Sequence, residues 1–390
     1  MSSPADAPGP GDAPPSRARE AGTAGLGRVL HVLSGLPFGG NETLCYQLMT
    51  KLSFRERLLL NIGPDGPMRE KFEALKGFQL LEIPYQRERR IRFVWQLWLL
   101  FLRLRPRGVI IYPFGLHVLV GLAARLACVR RVLVHAGNPV PQDEARRHLW
   151  TWIVRASVLL RIPIISCSGY VDREFRRLCR ILPARSRAIH NGIDTLAVFE
   201  RALVARASRK DLRPIVGMIA RLSVIKDHET LVRAMASVRL RHPDVRAWIV
   251  GEGEMEERLK QVTVELGLKD VVQFLGKRGD VPELLGQMDV YVFSTTRDEG
   301  FGIAIAEGMS AGLPVIASDV PACREVLEHG GGILVPPRDV AALAEAISGL
   351  LDDREQRERW AARALGTIDS FSVERCAMEW QRSLAGAADA

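Results

Sequence analysis

A chain of 390 residues, 47% hydrophobic and 25% charged, is long enough for two domains with full cores and has the balance of an ordinary globular protein. Its six cysteines are scattered with no CxxC pair, and it has no uninterrupted apolar run of about 18 residues; this argues against a disulfide framework, a zinc site and a membrane span, and for a reducing cytoplasmic setting. The net charge of +9 is uneven: residues 1–205 carry a balance of +14 and residues 206–390 one of −5, so the first half is expected to face an anionic lipid surface, a phosphorylated carrier or nucleic acid.

Residues 1–26 are dominated by Pro, Ala, Gly and Ser, show no apolar period and are too polar for a signal peptide; they read as a disordered tail. Strand-like runs then alternate with helical stretches, twice over. The first series is Arg28–Leu33, Leu58–Ile62, Gln79–Ile83, Val109–Tyr112, Val132–His135, Ile162–Ser166 and Ala188–His190. The second is Ile215–Ile219, Ala247–Val250, Val271–Leu275, Val290–Phe293, Val315–Ala317 and Ile333–Val335. Continuous apolar strands between helices predict an α/β chain of two doubly wound parallel sheets, each covered on both faces. The expected domains are 27–205 and 206–368, with the polar, basic stretch Glu200–Arg213 as linker. Phe371–Leu384 is amphipathic, with Phe371, Cys376, Met378 and Trp380 as apolar contacts; residues 369–390 are expected to form a helix that returns to the first domain.

The chemistry-bearing residues fall at the carboxyl ends of these strands, where open α/β sheets place ligands. Gly39 and Gly40 precede the first helix and would let backbone approach a ligand closely; a plain strand–helix turn is the commoner meaning of Gly-Gly. His135 closes an apolar strand, and His190-Asn-Gly-Ile-Asp194 marks a turn after another. A lone strand-end histidine is more often structural, but Gly137 and Asn138 place His135 at a rim. Arg221 and Lys226 together suit a diphosphate, the arginine as a planar fork and the lysine as a point charge. Gly251-Glu-Gly253 and Gly276-Lys277-Arg278-Gly-Asp280 follow successive strands. Glu299 and Glu307 straddle the turn Gly300-Phe301-Gly302 and the start of a small-residue helix at Ile303, whose N–H groups and dipole suit a phosphate. Glu299 as a helix cap and Glu307 as a solvated residue are the blander readings. The pair and its glycine setting favour a ligand site.

In this order along the chain, with Phe274-Leu-Gly276 and Ala311-Gly-Leu-Pro-Val-Ile-Ala-Ser, these motifs resemble the GT4-type family of retaining glycosyltransferases with the GT-B architecture, over roughly residues 28–385. The resemblance implies two Rossmann-like domains facing across a cleft. Arg221 and Lys226 would hold the donor diphosphate, and Glu307 would accept from the ribose hydroxyls. Glu299 and the backbone of Gly300, Phe301, Gly302 and Ile303 would bind the transferred sugar and the phosphate. Gly39 and Gly40 would close over the diphosphate, His135 would lie near the reacting centre, and the backbone around Lys277 and Arg278 would contact the base. The implied reaction moves a hexosyl group from a nucleotide-diphosphate sugar to a glycan or lipid-linked acceptor, with retention and front-face attack. Asp227 stands where many members have glycine.

The chain contains no Asp-x-Asp, and cationic side chains with helix amino ends can neutralise a departing diphosphate, so no essential divalent metal is expected. Arg87, Arg89, Arg90, Arg92, Arg103, Arg105 and Arg107 bracket an apolar run with two tryptophans. We read that run as a helix packed on the sheet, its arginines forming a patch for peripheral contact with an anionic cytoplasmic leaflet. A nucleotide-sugar epimerase or hydrolase is the alternative, disfavoured by the Glu299–Glu307 pair. A nucleic-acid-binding protein lacks its usual signatures, and an NAD-dependent oxidoreductase lacks GxGxxG.

Overall fold

The computed structural model describes residues 27–386, apart from 55, 142, 181–185 and 329. The tail expected over 1–26 lies outside the described residues. Two parallel sheets form the frame. The first contains β1 (Arg28–Leu33), β2 (Glu56–Asn61), β3 (Phe78–Glu82), β4 (Gly108–Ile111), β5 (Arg131–Ala136), β6 (Ile164–Ser166) and β7 (Ser186–Ala188), ordered β3-β2-β1-β4-β5-β6-β7. The second contains β8 (Ile215–Ile219), β9 (Arg246–Val250), β10 (Val272–Gly276), β11 (Val290–Phe293), β12 (Val315–Ser318) and β13 (Ile333–Val335), ordered β10-β9-β8-β11-β12-β13.

Helices cover both faces of each sheet, and the central strands β4 and β11 are accordingly apolar and buried along their whole length. Strand order reverses between β1 and β4 and again between β8 and β11, so the loops leaving these strands open crevices at the carboxyl edges. β7 lies two residues earlier than the run Ala188–His190. The Ile189 N–H still bonds to the Ser166 carbonyl, but His190 turns away to meet Glu325.

The basic stretch expected as a linker is helical as far as Ala207. The Asp194 side chain caps the helix Thr195–Ala207, and Val198, Ala202 and Ala205 form its buried stripe. Arg201 pairs bidentately with Glu283 at 2.8 and 2.6 Å, which packs this helix on the second sheet's layer. The crossing from one sheet to the other comes earlier, at Ile193, which exchanges backbone hydrogen bonds with Phe371 and Val373.

From there the helix Val373–Ala385 returns to the first sheet. Cys376, Ala377, Trp380 and Leu384 lie in one buried cluster with Leu33, Tyr112 and Leu133. Met378 is 52% exposed, because it points almost opposite to Cys376 on the helix. The helix Arg90–Leu104 is core on one face only: it buries Phe93, Leu97 and Phe101 and leaves Ile91, Trp95, Leu99 and Leu102 exposed. Among the described residues, no helix is long and apolar enough to cross a membrane.

Candidate functional site

The loops after β1, β5, β8, β10 and β11 meet in a cleft of about 570 Å³ between the two sheets. Gly39, Gly40 and His135 line it from the first domain; Arg221, Lys226, Lys277, Arg278, Glu299, Phe301, Gly302, Ile303 and Glu307 line it from the second. The backbone of Gly40 comes close to Ile303 across the gap: a Cβ there would stand 3.7 Å from the Ile303 Cδ1. Lys277 lies over the Phe38 ring, 4.4 Å from its centroid, and closes the mouth from the other side.

Glu299 is the centre of the arrangement. Lys226 donates to its Oε2 in a short ion pair, and its Oε1 accepts from the N–H groups of Gly300, Phe301 and Gly302 at 3.2, 3.4 and 3.2 Å. The carboxylate therefore folds back on the turn that leads into the helix Ile303–Ser310 and faces the cleft; it does not cap that helix, whose own first N–H groups have no side-chain acceptor. Burial alone would raise the pKa of Glu299; the Lys226 ammonium and the backbone donors outweigh it and hold the group below its ordinary value. Gly302 enters the helix at φ +86°, a conformation that favours glycine. Gly300 is absent from the cleft lining. A Cβ on it would fall 2.1 Å from the Gly137 carbonyl oxygen, and its own carbonyl accepts from Ser168 Oγ at 2.6 Å. It presses against the first domain instead.

Glu307 is half-buried one turn further along this helix, and burial pushes its pKa from 4.5 up to about 7. The two glutamates are thus unlike: one is ionised and pinned, the other poised near neutrality. Arg221 is a rim cation, largely exposed and 3.2 Å from Glu254. Lys226 lies inside, its Nζ 4.8 Å from the Phe293 ring centroid.

His135 is buried at the end of β5, with Nδ1 3.0 Å from Asn41 Oδ1. Burial lowers its pKa to about 4, with Asn191 pulling partly the other way, so the ring is neutral at physiological pH. It can hydrogen-bond a sugar hydroxyl without acting as an imidazolium acid. Trp380 of the returning helix lies 6.2 Å from His135 between ring centroids.

Sequence reasoning missed the contacts that join the domains. Glu325, at 10% side-chain exposure, accepts from the N–H groups of Gly169 and Tyr170 at 2.5 and 2.6 Å and from His190 Nε2 at 2.7 Å. Tyr170 donates to the Arg297 carbonyl at 3.2 Å, and Phe301 stacks on His190 with 5.5 Å between centroids. Asn41 carried a signal, since it directly follows Gly39-Gly40; Glu325 and Ser168 carried none. Among the described residues, no group of three or more His, Cys, Asp or Glu is placed to hold a metal ion.

Comparison with known proteins bears on both halves. Residues 38–196 match the family model described as Glycosyltransferase Family 4, and residues 201–366 that described as Glycosyl transferases group 1. The lipopolysaccharide core biosynthesis mannosyltransferase LpsB of Rhizobium meliloti is 28% identical over 294 residues, 65% of this chain and 84% of that protein. The phosphatidyl-myo-inositol mannosyltransferase of Mycobacterium leprae is 39% identical over 149 residues, 37% of this chain and 39% of its own length. The match to the exopolysaccharide phosphotransferase SCO2592 of Streptomyces coelicolor spans 18% of that protein. Among solved structures, Anabaena Alr3699/HepE with UDP-glucose superposes at a TM-score of 0.79 and 22% identity, covering 92% of this chain and 99% of that one. The lipopolysaccharide glycosyltransferase WaaG gives 0.69 at 15%, covering 92% and 100%. Both share the two-domain GT-B fold. The chain belongs to the family-4 glycosyltransferases.

Proposed function

We propose that the protein transfers a hexosyl group, with retention, from a nucleotide-diphosphate sugar to a glycan or lipid-linked acceptor in the synthesis of a cell-surface glycan. One observation carries the reading: Lys226, Arg221 and the amino end of the helix Ile303–Ser310 converge in the cleft beside two carboxylates of unlike charge state. The cations and N–H groups take the diphosphate, Glu299 a sugar hydroxyl and Glu307 the ribose hydroxyls; Gly39 and Gly40 cover the diphosphate. Backbone near Lys277 and Arg278 meets the base.

The bond from the anomeric carbon to the diphosphate oxygen breaks, and the acceptor hydroxyl adds from the same face. Its proton passes to the departing diphosphate, whose charge Lys226 and the helix end neutralise. Glu299 is no proton acceptor, because its partners stabilise the carboxylate. The same cations would let the reaction proceed without a divalent metal. The names of relatives acting on lipopolysaccharide core and phosphatidyl-myo-inositol support a membrane-bound acceptor. Peripheral contact with the cytoplasmic leaflet fits the exposed Ile91, Trp95 and Leu99 among arginines.

The test is a panel of nucleotide-sugars with the purified protein. Stabilisation by one donor class, and transfer to a lipid-extract acceptor that survives chelation, would support the reading. No stabilisation by any nucleotide-sugar would overturn it. Equal sedimentation with neutral and anionic vesicles would dismiss the membrane contact.

A further inference from the structure

Doubly wound sheets bind ligands at their carboxyl edge, yet the first sheet has a second concavity at its amino edge. It holds about 580 Å³ between the starts of β5 and β6 and the ends of the helices His117–Leu126, Glu144–Leu159 and Val373–Ala385. Its lining carries four arginines, Arg125, Arg130, Arg131 and Arg161, and no carboxylate. Arg125 is built in: its guanidinium donates to the carbonyls of Val129, Arg130, Leu160 and Arg161 at 2.6–3.2 Å. The other three are exposed, and among the described residues none forms an ion pair; Arg131 has one long contact, 3.5 Å, to the Ala385 carbonyl. Elsewhere on this protein, surface arginines commonly find carboxylates, as Arg69 and Arg241 do. Here like charges crowd one another, and the Arg125 pKa is lowered by burial and by Arg161 and Arg131.

We infer that this pocket is a second anion site, separate from the donor cleft, that takes a phosphate-dense group through the forks of Arg130, Arg131 and Arg161 on the fixed Arg125 frame. Guanidinium forks match phosphate oxygens in pairs, and three forks lining one concavity exceed what one carboxylate can satisfy. The site stands at the far end of β5 from His135, about 13 Å at the rise of a parallel strand. The phosphates can belong to a soluble polyanion or to a lipid headgroup, and Leu159, 83% exposed on the rim, is compatible with the second.

Full-length protein is titrated with inorganic tripolyphosphate, and arginines protected from phenylglyoxal are mapped by mass spectrometry. Arg130, Arg131 and Arg161 should be protected, and Arg130→Ser/Arg161→Ser should weaken this binding at least tenfold while leaving nucleotide-sugar binding and the unfolding curve unchanged. Unchanged tripolyphosphate affinity in the double variant, or protection confined to Arg221, overturns the site. Vesicles separate the sources. Variant-sensitive sedimentation with phosphatidic acid but not with phosphatidylglycerol of equal charge assigns a phosphomonoester headgroup; binding of tripolyphosphate without any vesicle difference assigns a soluble polyanion.

Discussion

Glu307→Gln should stabilise the protein at alkaline pH while weakening its hold on the donor. The Glu307 carboxyl titrates at about 7 in the folded chain against 4.5 ordinarily, because burial disfavours its charge. Between these values the folded state holds a proton that the unfolded state has released, so stability falls as pH rises from 4.5 to 7 and stays lower above it. A shift of this size is worth about 3.4 kcal/mol, or about 2–3 kcal/mol after discounting for the group's partial exposure. Glutamine keeps the shape and removes the titration. The variant should match the wild type at pH 4.5 and exceed it above pH 7.5, by roughly 2–4 °C of melting temperature per kcal/mol for a unit of this size. Donor binding should move oppositely. Ribose hydroxyls donate best to an ionised carboxylate, so wild-type affinity should climb through pH 7, and the variant should bind about tenfold more weakly with no such climb. Thermal denaturation and donor titration from pH 5 to 9 read both effects. Stability curves that run parallel across that range would refute the burial argument, whatever the donor does.

Lys226→Ala should remove donor binding by at least about tenfold and should raise the pH at which Glu299 protonates, visible as a new acid limb in the pH–rate profile. His135→Asn should lower turnover at saturating donor without altering the limb near pH 7 that Glu307 gives to donor binding, since His135 titrates near 4; a limb between pH 6 and 7 that disappears in this variant would contradict the assignment. Glu325→Ala should cost about 3 kcal/mol by leaving the Gly169 and Tyr170 N–H groups and His190 without their shared acceptor, measured by urea denaturation. A change below about 0.5 kcal/mol would mean the contact contributes nothing net.

Both sheets were legible because apolar strand runs of this kind admit few alternatives once helical stretches separate them. That the second-domain residues line one cleft was legible for a related reason: Lys226 to Glu307 lie in the four consecutive loops after β8, β9, β10 and β11, at one sheet edge. What escaped was set by contacts between distant segments. Glu325 reads as an ordinary helical glutamate until it is seen at the amino end of the helix Gly169–Cys179, 156 residues earlier. The Asn41–His135 bond spans 94 residues. The stretch Glu200–Arg213 read as a linker because its charges mask Ala202 and Ala205, which continue the narrow buried stripe that begins at Val198. The state of Glu307 depends on how completely the neighbouring elements exclude water, which no local pattern encodes.

The loop 294–302 belongs to the second domain by sequence but is anchored from both. Its Gly300 carbonyl is held by Ser168 and its Arg297 carbonyl by Tyr170, while Phe301 lies against His190 and Phe371. The same loop presents the N–H groups of Gly300, Phe301 and Gly302 that fix Glu299. Separating the domains at this point would release the loop and with it the geometry of the carboxylate, so under the proposed function a formed donor site requires docked domains. The adjacent Glu325 contact makes that docking electrostatic as well as apolar, because a buried carboxylate is satisfied only while the helix Gly169–Cys179 stays in place. A substitution at Glu325 or Ser168, neither of which lines the cleft, should therefore lower turnover through the placement of Glu299 rather than through any contact with substrate.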